Sequence, residues 1–194
     1  MIDVISQLDG LRSRVNAWKQ QGFRVGFVPT MGNLHAGHFS LVELAHRHAD
    51  KLVASVFVNP TQFGPNEDFG RYPRTPGADA EGLQAAGCDA LWLPSVEVMY
   101  PFGSDRAVRM HVPGITDTLD GASRPGHFDG VATVVARLFN QVQADVAVFG
   151  RKDYQPLAVI RYLVRALAFP LDIVAGDTLR EADGLALSSR NAYL

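Results

Sequence analysis

The chain has 194 residues, 47% of them apolar, and a formal net charge of −2. That supports one domain with a real core. Charges of both signs spread along the chain exclude a nucleic-acid binder driven by a basic face, and no apolar run is long enough to span a membrane.

The first predicted element is a helix from Ile5 to Gln21. It carries Leu8, Leu11, Val15 and Trp18 at spacings of three and four, and Gly22 fits its end. Val25 to Val28 reads as a buried strand, and Phe39 to His48 as the helix after it. Lys51 to Val58 is a second strand, Asp79 to Ala86 a helix closed by Gly87, and Leu91 to Leu93 a third strand. The lone cysteine, Cys88, follows Gly87 at the start of an apolar run and reads as a buried structural thiol. It can form no internal disulfide, which points to a reducing cytoplasm. Val108 to Val112 predicts a short strand, and Gly114 to Asp129 a loop.

Val131 to Gln143 is the clearest helix, with Val131, Val134, Val135, Leu138, Phe139 and Val142 in one stripe. Val146 to Phe149 follows as a strand, then a helix from Tyr154 to Phe169 with Pro156 in its first turn, then a strand from Leu171 to Val174. Nearly all-apolar strands alternating with helices predict an α/β fold, a parallel sheet covered on both faces. Ligands of such sheets bind beyond the carboxyl ends of the strands. The polar and glycine-bearing clusters 29–38, 59–66 and 150–153 all fall there.

The segment from Val28 to His38 passes through two glycines and two histidines on its way from strand to helix. Such a turn offers backbone N–H groups and the positive end of a helix dipole to a phosphate. His35 and His38, at i and i+3, share a helix face and can both point at it. The spacing also suits a metal, but no cysteine or carboxylate cluster supplies further ligands, so no metal-ligating residue is assigned. A protonated histidine there would add positive charge where a transition state needs it.

Asn59 to Asn66 could be a plain turn, yet Gln62 offers both donors and acceptors to hydroxyl and carboxylate groups of a small substrate. Lys152 opposes the dipole of the helix it precedes, which hints at an anion, whereas Asp153 could be a simple N-cap. Leu187 to Asn191 is small, polar and basic, and alone reads as a surface loop.

Six ordered segments over nearly the whole chain resemble the pantoate–β-alanine ligase family. They are Pro29 to His38, Val56 to Phe63, Tyr72 to Thr75, Arg124 to Val131, Phe149 to Gln155 and Arg180 to Asn191. His35-Ala36-Gly37-His38 alone would indicate only the wider nucleotidyltransferase (His-x-Gly-His) superfamily.

The resemblance implies a Rossmann-like, doubly wound parallel sheet at 1–176, which binds ATP and pantoate. Residues 177–194 would begin the connection to a C-terminal lid domain absent from this chain. ATP would be bound by Pro29, Thr30, Met31, Gly32, Asn33, Leu34, His35, Ala36, Gly37 and His38. Gly150, Arg151, Lys152 and Asp153, the backbone near Leu179, and Leu187, Ser188, Ser189 and Arg190 would complete that site. His38 would be the proton donor, and His35, Lys152, Ser188, Ser189 and Arg190 would share the catalytic work. Gln62, with Asn59 and Met31, would hold pantoate and border the β-alanine site.

The implied reaction condenses pantoate with β-alanine through a pantoyl-adenylate, with Mg²⁺ on the ATP phosphates, in a cytoplasmic homodimer. Other readings are a nucleotidyltransferase of the same superfamily or a non-catalytic ATP-binding fragment. Two departures from the family pattern stand out. Pro156 follows Gln155 where a second glutamine, in contact with pantoate, is usual, and Arg151 stands where the family usually has a glutamate.

Overall fold

A computed structural model describes residues 1–64, Glu67 and residues 69–193. Pro65 and Asn66 of the predicted 59–66 turn, Asp68 and Leu194 lie outside the described residues. In chain order the elements are β1 (Asp3–Ile5), α1 (Leu8–Gln20), β2 (Val25–Thr30), α2 (Ala36–Ala45), β3 (Lys51–Val56), α3 (Pro76–Ala85), β4 (Ala90–Trp92), α4 (Val96–Met99), α5 (Asp120–Ser123), α6 (His127–Val142), β5 (Val146–Gly150), α7 (Tyr154–Ala166) and β6 (Asp172–Gly176). Short 3-10 turns cover Pro60–Gln62 and Ser189–Tyr193.

The six strands form one sheet in the order β1-β4-β3-β2-β5-β6, and every pairing is parallel. The two faces separate by alternation along each strand. Phe27, Val53 and Trp92 turn into one core with Leu11 and Val15 of α1, Val135 and Phe139 of α6 and Ile160 of α7. Val28, Leu52, Ala54 and Leu91 turn into the other with Val42 of α2 and Leu83 of α3. The α/β reading, doubly wound and parallel, therefore holds.

The order reverses at β2: the chain runs outward through β3 and β4 on one side, then crosses back to β5 and β6 on the other. Proline in a central strand normally breaks a ladder. Here the Thr30 carbonyl accepts the Phe57 N–H on the β3 side, so Pro29 faces β5. The β2–β5 register stops at Phe27↔Ala147, two residues before Pro29, whereas β2 and β3 stay paired to Thr30↔Val56. The missing N–H thus falls where the sheet has already parted, and a crevice opens at the topological switch point.

Several sequence expectations are corrected. Val108 to Val112 is not a strand: no strand among the described residues pairs with it, and Val108 is 72% exposed. The N-terminal helix begins at Leu8 rather than Ile5, because residues 3–5 pair with β4 as an edge strand. The strand from Lys51 ends at Val56, the predicted loop to Asp129 includes the short α5, and α6 begins at His127, after Gly126 in the left-handed region (φ 80°). Cys88 is buried, and burial pushes its thiol up to about 12, so it stays a protonated core group.

Candidate active site

Thr30, at the end of β2, donates its hydroxyl to the Ser55 carbonyl at 2.7 Å and accepts the Gly32 N–H at 3.3 Å. Its hydroxyl proton and one of its two lone pairs are thereby used inside the turn. Beyond it the chain turns sharply into α2. His35 is the N-cap, with extended backbone, and its Nδ1 accepts the Gly37 N–H at 3.1 Å. His38 Nδ1 reaches back to accept the His35 N–H at 3.3 Å, closing a reciprocal capping box built from two imidazoles. The rings lie 4.1 Å apart between centroids.

Backbone N–H groups can only donate, so each Nδ1 is an acceptor and each neutral ring carries its proton on Nε2. Burial lowers the His38 pKa to about 3, with His35 and Lys152 acting in the same direction. Burial and then Lys152 lower the His35 pKa, against Glu181, which raises it. The pair therefore presents two neutral Nε2–H donors at neutral pH, and the positive charge expected of a protonated histidine is not there.

Gly37 makes this geometry possible. A Cβ at that position would lie 2.9 Å from His35 Cε1 and 3.0 Å from its Nδ1, closer than real side chains pack. The glycine leaves room for the His35 ring to fold over the first turn of α2.

Across the crevice, β5 ends at Gly150. The Arg151 N–H donates to the Gly176 carbonyl and its guanidinium pairs with Asp177 at 2.9 Å, which ties Arg151 to the far edge of the sheet. Lys152 is about one-third exposed, 3.8 Å from Asp153, and close enough to both histidines to depress their pKa values. Asp153 occupies the N-cap position of α7 without a side-chain capping bond. Pro156 sits in the first turn of α7, and the Gln155 amide is taken up by the carbonyls of Ile115 and Thr118.

Residues 177–191 fold back to the turn between β2 and α2. Leu179 accepts the Leu187 N–H at 3.0 Å, Arg180 bridges Ala186 in antiparallel fashion, and Ser189 comes to rest on Asn33. The Ser188 Oγ accepts the Arg190 N–H, and the Arg190 guanidinium lies 5.7 Å from the Tyr72 ring centroid. The segments at 32–38, 150–153 and 187–190 thus meet at the β2–β5 switch point. The Leu179 carbonyl is occupied by Leu187, and the Asn33 side chain by Ser189.

Gln62 is oriented by groups that leave no choice of sense. Asn59, fully buried, accepts the Thr61 N–H and donates to the Gly130 carbonyl, which fixes which end of its amide is which. Its Nδ2 then donates to Gln62 Oε1 at 3.0 Å, and the Tyr100 hydroxyl donates to its Oδ1 at 2.7 Å. Gln62 is left presenting its NH₂, which lies 3.9 Å from Met31 Sδ. The Gln62 carbonyl accepts from His127 Nδ1 at 2.8 Å, and His127 Nε2 takes a hydrogen bond from Arg124, itself paired with Glu67. Asn59 therefore orients Gln62 from within the protein.

Asp79, Tyr100 and His127 were not singled out from the sequence. Only the His127 segment, Arg124 to Val131, stood out there at all. A mostly apolar cleft of about 260 Å³ lies alongside, lined by Phe57, Val58, Arg74 and Leu93 among others. Of the individual site residues expected from the sequence, Met31 and Gly32 border it, together with members of the Val56–Phe63 and Tyr72–Thr75 segments.

A doubly wound parallel sheet with a histidine-capped helix at its switch point defines a nucleotidyltransferase-like α/β fold. The family model for pantoate-beta-alanine ligase matches residues 3–194. Pantothenate synthetase of Xanthomonas euvesicatoria is 67% identical over 100% of this chain and 69% of its own length. That of Stenotrophomonas maltophilia is 66% identical over 100% of this chain and 70% of its own length. The crystal structure of pantothenate synthetase from Thermus thermophilus superimposes with a TM-score of 0.93 at 55% identity, over 100% of this chain and 68% of that one. Pantoate-beta-alanine ligase from Francisella tularensis, complexed with beta-gamma ATP and beta-alanine, gives 0.94 at 38% identity, over 100% and 74%. The chain belongs to the pantoate–β-alanine ligase family, and by that membership is a carbon–nitrogen ligase.

Proposed function

We propose that this chain condenses (R)-pantoate with β-alanine, driven by ATP, through a pantoyl-adenylate. The observation that carries this reading is the meeting of the His35/His38 cap, Lys152 and the Ser188–Arg190 segment at one switch-point crevice, in a member of this family. The pantoate carboxylate attacks the ATP α-phosphorus and pyrophosphate leaves. The β-alanine amine then attacks the activated carbonyl, loses a proton, and AMP leaves. The first reaction needs in-line positioning and charge stabilisation rather than a protein nucleophile.

The Nε2–H groups of His35 and His38 and the N-terminus of α2 supply fixed dipoles for that charge, with Lys152 and Arg190 as cations. His38 acts as a hydrogen-bond donor. Gln62, steered by Asn59, holds pantoate beside Met31. Mg²⁺ would ride on the phosphate oxygens of ATP; among the described residues there is no group of three or more His, Cys, Asp or Glu side chains that could form a dedicated cage for it. Residues 1–176 make up the nucleotide- and pantoate-binding domain in this reading, which extends to a homodimer in the cytoplasm.

Incubation with ATP, pantoate and β-alanine should yield AMP and pantothenate, with pyrophosphate release that requires pantoate. Pyrophosphate release supported instead by a nucleotide or a phosphorylated alcohol would identify a nucleotidyltransferase. ATP binding with no AMP under any of these conditions would identify a non-catalytic module.

The crowding at Gly37 gives a sharper expectation. Alanine is the better helix former by at most about 1 kcal/mol, less at a first-turn position such as Gly37, and loss of the His35 cap costs about as much. Gly37→Ala should therefore leave Tm nearly unchanged while lowering pantoate-dependent pyrophosphate release by ~10-fold or more, because the His35 ring is displaced. Unaltered turnover would show that the ring position is immaterial.

A further inference from the structure

The turn that carries the phosphate-facing histidines has no regular structure to hold it. Gly32 and Asn33 both have positive φ, 89° and 52°. What holds them is Asp79, on the first turn of α3, only 2% exposed. Its Oδ1 accepts the Leu34 N–H at 2.8 Å and its Oδ2 the Asn33 N–H at 3.1 Å. Thr75, directly before α3, makes no side-chain cap and instead donates its hydroxyl to Asp79 Oδ1 at 3.2 Å. A Cβ on Gly32 would stand 2.9 Å from Val56 and 3.1 Å from the Asp79 carboxylate, so that residue is small for the same reason.

On the other side of the turn, the Asn33 carbonyl accepts the Ser189 hydroxyl at 2.9 Å and Asn33 Nδ2 donates to the Ser189 carbonyl at 3.4 Å. Asn33 is thus bound to Asp79 through its N–H and to Ser189 through its carbonyl and side chain.

We propose that Asp79 is a positioning residue for the reaction of ATP: through Asn33 it holds the histidine turn and the Ser189 segment against the same phosphate group. The proposal rests on the reading of the crevice as an ATP site. The demand is for a carboxylate in particular. Its two oxygens accept two backbone N–H groups at once, whereas an amide could accept one and would set its own NH₂ against the other. A buried N–H left without a partner moves or finds another.

Asp79→Asn should raise the ATP KM about 10-fold and lower kcat, with the pantoate KM within about twofold of wild type. Asp79→Glu, which remains acceptor-only, should recover part of the ATP affinity. A residue that merely stabilised the fold would lower Tm and the folded fraction, yet leave the ATP KM of the folded remainder unchanged; that result overturns the proposal. If Asp79→Asn does not fold, Thr75→Val, which removes one donor to the same carboxylate, should show a smaller shift in the same constant. In the wild-type protein the Asn33 and Leu34 amides should be protected from hydrogen exchange, and exchange at free-peptide rates would also refute the idea. Wild-type protein that binds ATP in calorimetry but makes no pantothenate would sink the proposed function alone, since the Asp79 variants would still be read through ATP affinity. Wild-type protein that binds no ATP would sink both.

Discussion

His38→Ala is expected to slow pantoate-dependent pyrophosphate release by roughly 100-fold or more, the usual consequence of losing one transition-state donor worth about 3 kcal/mol. The Nδ1 of His38 is engaged by the His35 N–H, so the lost donor is a proton already fixed on Nε2. Circular dichroism should show the fold retained, because His38 closes one turn of α2 and is absent from both apolar cores. Wild-type rates in the variant would remove His38 from the reaction.

The pH behaviour follows from the same geometry. The folded pKa, near 3, lies below the ordinary value of 6.5, so the unfolded chain binds the extra proton between those limits. The His38 contribution to stability is therefore full above about pH 6.5 and is lost as pH falls toward 3. His38→Ala should flatten the fall in Tm over that window.

The second large effect is expected at Gln62. Gln62→Ala should weaken pantoate binding by about 1–3 kcal/mol, the cost of a substrate acceptor left unpaired, with ATP affinity unchanged. Gln62→Glu should be worse than alanine. Asn59 would still donate to one carboxylate oxygen, but the face now offering NH₂ would become an anion opposed to the pantoate carboxylate. Calorimetry showing equal losses for both ligands, or a glutamate variant that binds pantoate as well as glutamine does, would contradict the donor sense derived from Asn59.

Most of the sheet was legible because its strands are short, continuous apolar runs, which only a two-sided sheet buries. β1 was not: Asp3–Ile5 has three residues and leaves Val4 52% exposed, so the run merges with the helix that follows. Val108 to Val112 carries a strand-like pattern but meets no neighbouring strand among the described residues, and β structure is decided by such neighbours. Two of the segments that meet at the switch point, 32–38 and 150–153, stood out as polar punctuation after buried strands, whereas 187–190 read alone as a surface loop. The neutrality of the histidines did not stand out, since it depends on burial and on backbone donors that residue types do not reveal. Asp79 was least visible of all. In sequence it is an acidic residue near the start of a helix, and its two acceptors are used by amides 46 and 45 residues earlier.

The contact between Asn33 and Ser189 joins residues 156 positions apart. The apolar side chains described as buried all lie at or before Leu163, so the hydrophobic core is closed without the segment that completes the site. Being folded and being assembled for chemistry are thus two separate conditions for this chain. The first is secured by a broad apolar interior and the second by a few polar contacts at the crevice rim. Small perturbations can silence such a site while the molecule keeps its shape.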